Sequence, residues 1–152
     1  MFTPTRAAGL DRLTAFLPRA GHDYAAFRNL DLPGHPHVSA LSPWLRRRLV
    51  TEAEVINATR HSHPRGAEKF LAEVWWRTYW KGWLELRPGI WTTYKQGLTA
   101  ALNRLAVEPG LAARAEAAML GTTGIDGFDH WAKELVATGY LHNHARMWFA
   151  SI

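Results

Sequence analysis

The chain has 152 residues with a formal net charge of +5, is 47% apolar and 20% charged, and contains no cysteine. This composition is typical of a folded globular protein and excludes a disordered chain. The lack of cysteine excludes a disulfide framework, a thiol nucleophile and a Cys-ligated metal. No run of about 18 uncharged apolar residues is present and the first residues carry no secretory signal. We therefore expect no membrane span and a cytoplasmic protein.

Two residue types are over-represented. The chain has 8 Trp, and fourteen of its 18 basic residues are arginine. Arginine offers a planar fork for phosphate and stacks on aromatic rings, so a nucleotide or nucleic-acid partner is one interpretation. The other interpretation is a GC-rich genome, because such genomes also favour arginine over lysine.

Helical periodicity dominates the first half of the sequence, and strand alternation is nearly absent. Pro18 and Gly21 separate two short predicted helices. A stretch with two prolines and a glycine is predicted as a loop. These segments are a helix over Gly9–Phe16, a helix over Tyr24–Asn29 and a loop over Asp31–Ala40.

Two capping patterns predict where the next helices begin. Ser42 is the expected N-cap of a helix with Pro43 at its first position, running to about Leu49. Thr51 with Glu54 three residues later has the pattern of a capping box. A further helix therefore begins at Thr51.

The longest predicted helix runs from Ala67 to about Leu86. Apolar residues nearly encircle it, so we expect it to be buried centrally. Glu73 and Arg77 stand at positions i and i+4, in the favourable order for an ion pair. The pair is either a structural salt bridge or an acid and a base in an aromatic-walled pocket, where Trp76 can stack on a planar ligand.

The second half is also predicted to be helical, which makes the fold class all-α in one domain over residues 1–152. Gly121 and Gly124 break the pattern, and Gly139 is the expected C-cap of a helix. The last residues are apolar without a terminating signal, so the chain is expected to stop in mid-helix. The predicted helices cover Pro88–Leu105, Leu111–Leu120, Asp126–Thr138 and the residues from His142 onward.

Two polar constellations suggest ligand binding. Asn143 and Arg146 lie three residues apart on one helix face, where an amide and a guanidinium can bind a mixed donor–acceptor ring or a phosphate. Ser39 and Ser42 flank a loop-to-helix junction, whose backbone N–H groups favour phosphate. The alternatives are a solvated helix start and a plain N-cap. The arginine run at positions 46–48 is either a solvated face or a DNA contact.

Metal and hydrolase chemistry are not predicted. Histidine occurs in three H-x-H pairs, but they lie in loops or at helix ends without a carboxylate cluster, so we expect no metal site. A G-x-S-x-G elbow is absent.

Taken in order, these segments resemble the FAD-binding helical domain of the DNA photolyase/cryptochrome family, over roughly Gly9 to Ile152. The most specific segment, Thr123 to Met147, reads TG-x4-D-x5-L-x2-TG-x2-HN-x2-RM; FLAEVWWR and Y-x3-R…S-x-LSP support it. The resemblance implies FAD as cofactor and DNA with cyclobutane pyrimidine dimers as substrate. Members of the family flip the dimer out of the duplex and split it by light-driven electron transfer from reduced FAD.

The resemblance also implies roles for individual residues. Glu73 matches the acid that contacts the lesion and is the one catalytic candidate. Arg146 matches a basic residue beside the flavin, and Arg28 a basic residue on the DNA side. The implied FAD-binding residues are Tyr24, Val38, Ser39, Ala40, Leu41, Ser42, Phe70, Glu73, Arg77 and Arg146, and the implied DNA- or lesion-binding residues are Arg28, Glu73, Trp76, Asn143, His144 and Met147.

The sequence also departs from the family pattern. Val38 replaces a usual threonine, His144 replaces an arginine, and Phe70 replaces a common tryptophan. The family domain continues past the position of Ile152, and its α/β antenna domain has no counterpart here. A second chain supplying the remaining part is therefore an expected partner. A flavin- or DNA-binding module without catalysis and a gene fragment without independent function are the alternatives.

Overall fold

The computed structural model describes residues 2–151, and this part of the chain is all-helical, as predicted. It contains nine α-helices, one short 3-10 helix and no strand. Because residues 2–151 contain helices and no strand, the all-α fold class is confirmed. The helices are α1 (Arg6–Phe16), α2 (His22–Phe27), α3 (Ser42–Arg46), α4 (Glu52–Ser62), α5 (Glu68–Glu85), α6 (Pro88–Val107), α7 (Pro109–Leu120), α8 (Asp126–Thr138) and α9 (Asn143–Phe149), with a 3-10 helix over Leu17–Arg19 after α1.

The chain forms two compact units. The first unit is Phe2–Gly82, and the second unit contains the residues from Trp83 onward. The boundary falls inside α5 rather than in a linker. None of the described helices is long and apolar enough to cross a membrane.

The first unit has a buried apolar core drawn from α1 to α5. Gly9 in α1 permits a close approach, because a Cβ atom there would lie 2.7 Å from Val50 Cγ2 and 2.8 Å from Trp44 Cδ1. The glycine thus lets α1 pack directly on the chain around α3. The core contains Leu13, Phe16, Ala20, Tyr24, Leu41, Trp44, Leu45, Val50, Val55, Ile56, Phe70 and Val74.

The capping box at the start of α4 is confirmed. The Glu54 amide donates to Thr51 Oγ1 at 3.3 Å, and the Thr51 amide donates to Glu54 Oε2 at 2.9 Å. The Arg6 guanidinium also hydrogen-bonds this carboxylate. Above all this hydrogen bond, then those from Thr51, lower the pKa of Glu54 from 4.5 to about 2. The start of α4 is therefore tied to α1.

The predicted start of α3 was wrong by one residue. Ser42 is the first helical residue, and Leu41 is the N-cap without a side-chain capping bond. The helix also ends at Arg46 rather than near Leu49. The N-cap role of Ser42 is excluded because the chain is already helical there, so its hydroxyl caps nothing.

The expectation that α5 lies fully inside the protein was also wrong. Phe70 and Val74 are its buried residues. The exposed fractions are 52% for Trp75 and 50% for Trp80. Phe70 and Val74 are four residues apart and share one face, whereas the tryptophans lie on another face. Only one side of α5 therefore contributes to the core.

In the second unit, short-range contacts define the start and the end of α8. Asp129 accepts hydrogen bonds from the Thr123 hydroxyl at 2.7 Å and from the Gly124 amide at 2.9 Å. Burial raises the pKa of this carboxyl, but hydrogen bonds from Thr123 and Gly124 outweigh it and lower the pKa. Gly139 ends α8 with a φ of 71°, which confirms the predicted C-cap.

The last helix ends before the last residues, contrary to the prediction of a chain that stops in mid-helix. Helix α9 spans Asn143–Phe149, and Ala150 is its C-cap. The Ala150 amide donates to Arg146 O, and the Ser151 amide donates to Trp148 O at 3.0 Å. These two bonds satisfy carbonyl groups of the last turn without glycine or proline.

Candidate functional site

An aromatic cluster joins α1, α2 and α5 in the first unit. The Tyr24 and Phe70 rings meet edge to face with their centroids 5.1 Å apart. Phe16 lies 5.1 Å from Phe70 and 6.1 Å from Tyr24. Tyr24 is 8% and Phe70 3% exposed. Two residues that the resemblance assigns to the cofactor are therefore in contact, and both belong to the buried core.

Arg28 and Glu73 form an ion pair next to this cluster. Arg28 Nη1 donates to Glu73 Oε1 at 3.1 Å, and the guanidinium carbon lies 6.0 Å from the centre of the Tyr24 ring. The side chains are 29% and 43% exposed, respectively. An implied DNA-side base and the implied lesion-contacting acid are thus adjacent, although 45 residues separate them in the chain.

The structural salt bridge between Glu73 and Arg77, one of the two interpretations of their spacing, is not formed. Arg77 Nε donates instead to Glu52 Oε1 at 3.0 Å, and Arg48 Nη1 donates to Glu52 Oε2 at 3.2 Å. The Glu52 side chain is only 11% exposed. Glu73 and Arg77 each pair with a residue on another part of the first unit, which gives two cross-links between elements instead of one bond within α5.

The loop at positions 38–42 is held by a partly buried arginine of α1. Arg12 donates to the carbonyl oxygens of Ser39 at 2.7 Å and Val38 at 3.2 Å. Ala40 has a φ of 51°, in the left-handed region, so the loop turns tightly there. The Ser42 hydroxyl makes no hydrogen bond to the chain described here and is partly exposed. It is an available donor at the start of α3.

The exposed aromatic residues of α5 form a surface on the helix that also carries Glu73 and Arg77. The rings of Trp76 and Trp80 are stacked at 27° with centroids 6.2 Å apart, and Tyr79 meets each of them edge on at 5.3 Å. Each of these residues is about half exposed. We call Trp75, Trp76, Tyr79 and Trp80 the aromatic surface of α5.

The remaining predicted residues lie in the second unit at the start of α9. Asn143, Arg146 and Met147 are exposed, and His144 is partly buried. Arg146 Nε donates to Leu141 O at 2.9 Å, and its guanidinium lies 5.3 Å from the centre of the Tyr140 ring. The helix start therefore orients Arg146 by a backbone bond and an aromatic face.

His142 supports this helix start from inside. It is fully buried, and its Nδ1 accepts a hydrogen bond from the His144 amide at 3.2 Å. His142 therefore acts as the N-cap of α9, one residue before the helix. The sequence predicted a helix that begins at this residue, and the structure agrees within one position.

The structure thus divides the predicted site residues between the two units. Those at positions 24–77 belong to the first unit, and those at positions 143–147 belong to the second. Sequence reasoning missed Glu52 and Arg12, which hold Arg77 and the loop. Glu52 carries only the signal of an acid in the first turn of a helix, and Arg12 that of a polar residue in an amphipathic helix.

Comparisons of the chain with known protein families, with curated proteins and with solved structures found no match.

Proposed function

We propose that this chain binds FAD as a photolyase-like protein. The proposed cofactor-binding residues of the first unit are Tyr24, the loop at positions 38–42, Phe70, Glu73 and Arg77. Light-driven repair of cyclobutane pyrimidine dimers in DNA is the activity that the resemblance implies. Glu73 is the proposed lesion-contacting acid of that reaction.

The observation that carries this proposal is the contact between two separated motifs, Y-x3-R and FLAEVWWR, within the first unit. Tyr24 contacts Phe70, and Arg28 contacts Glu73. These contacts join α2 to α5, which are the helices that carry two of the motifs. Residues that are remote in the chain but share one implied role lie next to each other, as a common site requires.

The available hydrogen-bond donors also suit the phosphate and carbonyl oxygens of FAD. The Ser42 hydroxyl is free to donate to a phosphate, and the Ala40 turn held by Arg12 presents a rigid backbone. Arg77 is a fixed cation that suits an acceptor oxygen. Reduced FAD, when bound, would supply the electron for splitting a dimer, and the residues of the chain would bind and orient it.

The first experiment measures whether the purified chain retains FAD. The chain is incubated with FAD and passed through gel filtration, and a retained flavin band near about 450 nm is expected. Val38→Thr restores the hydroxyl of the family pattern and should strengthen retention, whereas Ser42→Ala should weaken it. A colourless protein in all three cases would refute FAD binding by this chain.

A second experiment then tests repair. The FAD-loaded chain is illuminated with blue light in the presence of dimer-containing DNA, and loss of dimers is measured. Trp76→Ala should reduce repair while flavin retention persists, because the resemblance implies that Trp76 contacts the lesion and not the flavin. Retained FAD without any repair would refute the enzyme and favour a non-catalytic module.

Nucleic-acid binding without catalysis is the second candidate function, and the charge distribution favours it. The first unit has twelve basic and seven acidic residues, whereas the second has six of each. The aromatic surface of α5 lies in this positive unit and offers half-exposed rings for base stacking. Both features suit a phosphate backbone with accessible bases.

This alternative predicts DNA affinity that falls steeply with salt and needs no light. Fluorescence anisotropy with a labelled single-stranded oligonucleotide measures it at several salt concentrations. Tyr79→Ala should weaken binding by about 1–3 kcal/mol if a base stacks there. Tyr94→Ala in the second unit is the matched control and should leave the affinity unchanged. Equal losses, or affinity independent of salt, would contradict this candidate.

A further inference from the structure

Glu52 is a carboxylate buried between two guanidinium groups. The residue is 9% exposed, and each of its oxygens accepts a hydrogen bond from one arginine, Oε1 from Arg77 and Oε2 from Arg48. The two arginines differ in burial, since the side chain of Arg77 is 28% and that of Arg48 is 63% exposed. The pairing with Arg77 is therefore the better shielded of the two.

Arg77 uses only part of its hydrogen-bonding capacity within the protein. Its Nε is bound to Glu52, and its two terminal amino groups make no hydrogen bond to any residue between positions 2 and 151. Glu73, four residues earlier on α5, is engaged by Arg28 instead. The planar guanidinium is thus fixed at one end, with its remaining donors available at the other.

We propose that Glu52 is the positioning residue for Arg77, which it holds so that the terminal amino groups bind an acceptor oxygen of FAD. This inference rests on the FAD binding proposed above. Glu52 itself touches no ligand and acts only through Arg77. The acceptor is a flavin carbonyl or a phosphate oxygen, both of which a guanidinium fork recognises.

The geometry gives Glu52 an advantage that Glu73 lacks. An arginine carries several rotatable bonds, and binding a ligand with a mobile guanidinium requires ordering them. A buried carboxylate on a neighbouring helix removes that freedom before the ligand arrives. A partner on the same exposed helix face would leave the pair in water and would fix it less well.

The test compares Glu52→Gln with Arg48→Ala in the full-length chain. Glu52→Gln keeps the size of the side chain but removes the charge that holds Arg77. Arg48→Ala removes the exposed partner of the same carboxylate and leaves the bond to Arg77. We expect FAD affinity, measured by fluorescence titration, to fall about tenfold for Glu52→Gln and to stay within about twofold for Arg48→Ala.

Nitrogen-15 NMR of the Arg77 Nε–H group reports directly on whether Glu52 holds Arg77, and it can be recorded with or without flavin. The wild-type and Arg48→Ala proteins should show a slowly exchanging Nε–H signal, which Glu52→Gln should lose. Arg77→Lys, which has no Nε–H, should lower FAD affinity to a similar extent, and adding Glu52→Gln to it should cause no further loss. Additive losses would show that Glu52 acts on general stability and would overturn the proposal.

The outcomes separate this inference from the proposed function. If the wild type binds no FAD but keeps the Nε–H signal, the proposed FAD binding is refuted. The proposed role of Glu52 is then refuted as well, because Arg77 has no FAD to bind. If the wild type binds FAD and Glu52→Gln binds it equally well, only the positioning role is refuted. If Glu52→Gln does not fold, Arg77→Lys decides, because unchanged FAD affinity in that variant refutes the role of Arg77.

Discussion

The first unit and helix α6 of the second use their apolar residues in different ways. In the first unit, Phe16, Val50 and Val55 are 0–1% exposed in a continuous core. Helix α6 has no buried residue, although Trp91 and Tyr94 stack on each other at 5.3 Å. Apolar content thus does not by itself decide burial, because a residue is buried only where neighbouring helices enclose its face.

The two units also differ in charge, and this difference bears on function. The excess of basic residues is confined to the first unit. Several of these charges are held at defined positions, because Arg12, Arg28 and Arg77 each bond another part of the unit. A positively charged unit with ordered arginines suits an anionic ligand better than an evenly charged one does.

The largest expected effect comes from comparing the removal of a buried aromatic side chain in the first unit with the removal of an exposed one in α6. Phe16→Ala should lower the free energy of unfolding by about 3–5 kcal/mol, because it opens a cavity against Tyr24 and Phe70. Trp91→Ala in α6 should cost about 1 kcal/mol or less, since the residue is 61% exposed. Urea unfolding of both variants measures the difference. Equal losses would mean that the α6 face is covered in solution.

A smaller loss of stability is expected when either of two glycines at helix ends in the second unit is replaced by alanine. Both have positive φ, 63° at Gly121 and 71° at Gly139. A Cβ at Gly121 would lie 2.9 Å from Asp129 O, whereas one at Gly139 would meet nothing within 4 Å. Gly139→Ala should cost about 1–2 kcal/mol from backbone strain alone.

Gly121→Ala should cost roughly 1–3 kcal/mol more than Gly139→Ala, because the start of α8 must also move. Thermal unfolding of the two variants, followed by circular dichroism, measures this. An equal loss of stability in both variants would show that the start of α8 can move to accommodate the added methyl group at little energetic cost.

The smallest effect is a pH dependence from the contact between α1 and α4. Folding lowers the pKa of Glu54 from 4.5 to about 2, so this carboxylate stabilises the folded state above pH 4.5. Its contribution is lost as the pH falls from 4.5 to about 2. Glu54→Gln lacks the titrating group and should show a flatter stability profile over that range. A wild-type profile as flat as that of the variant would contradict the role of Glu54.

Local patterns were predictable from the sequence. The Thr51 and Glu54 capping box and the Gly139 C-cap depend on residues within four positions of each other, so both can be recognised in the amino-acid sequence. The starts of α4 and α9 followed to within a residue. The prediction of an N-cap at Ser42 was wrong because Pro43 can occupy either the first or the second position of a helix.

The candidate site was only partly predictable. The sequence selected Tyr24, Arg28, Glu73 and Arg77, but the Glu73–Arg77 salt bridge that it offered as one interpretation is not formed. The actual bonds of these two charges span 45 and 25 residues. A preference for i, i+4 pairing is worth only a few tenths of a kcal/mol, so the packing of α2 and α4 against α5 easily overrides it.

The sequence by itself determined the all-α class, the order of the helices and most of their ends, because helix periodicity and caps act over a few residues. Only the tertiary structure decided which side of α5 is buried and that Glu52 holds Arg77. Those outcomes depend on which helices meet across the core, and contacts between distant residues leave no periodic signal in a single sequence.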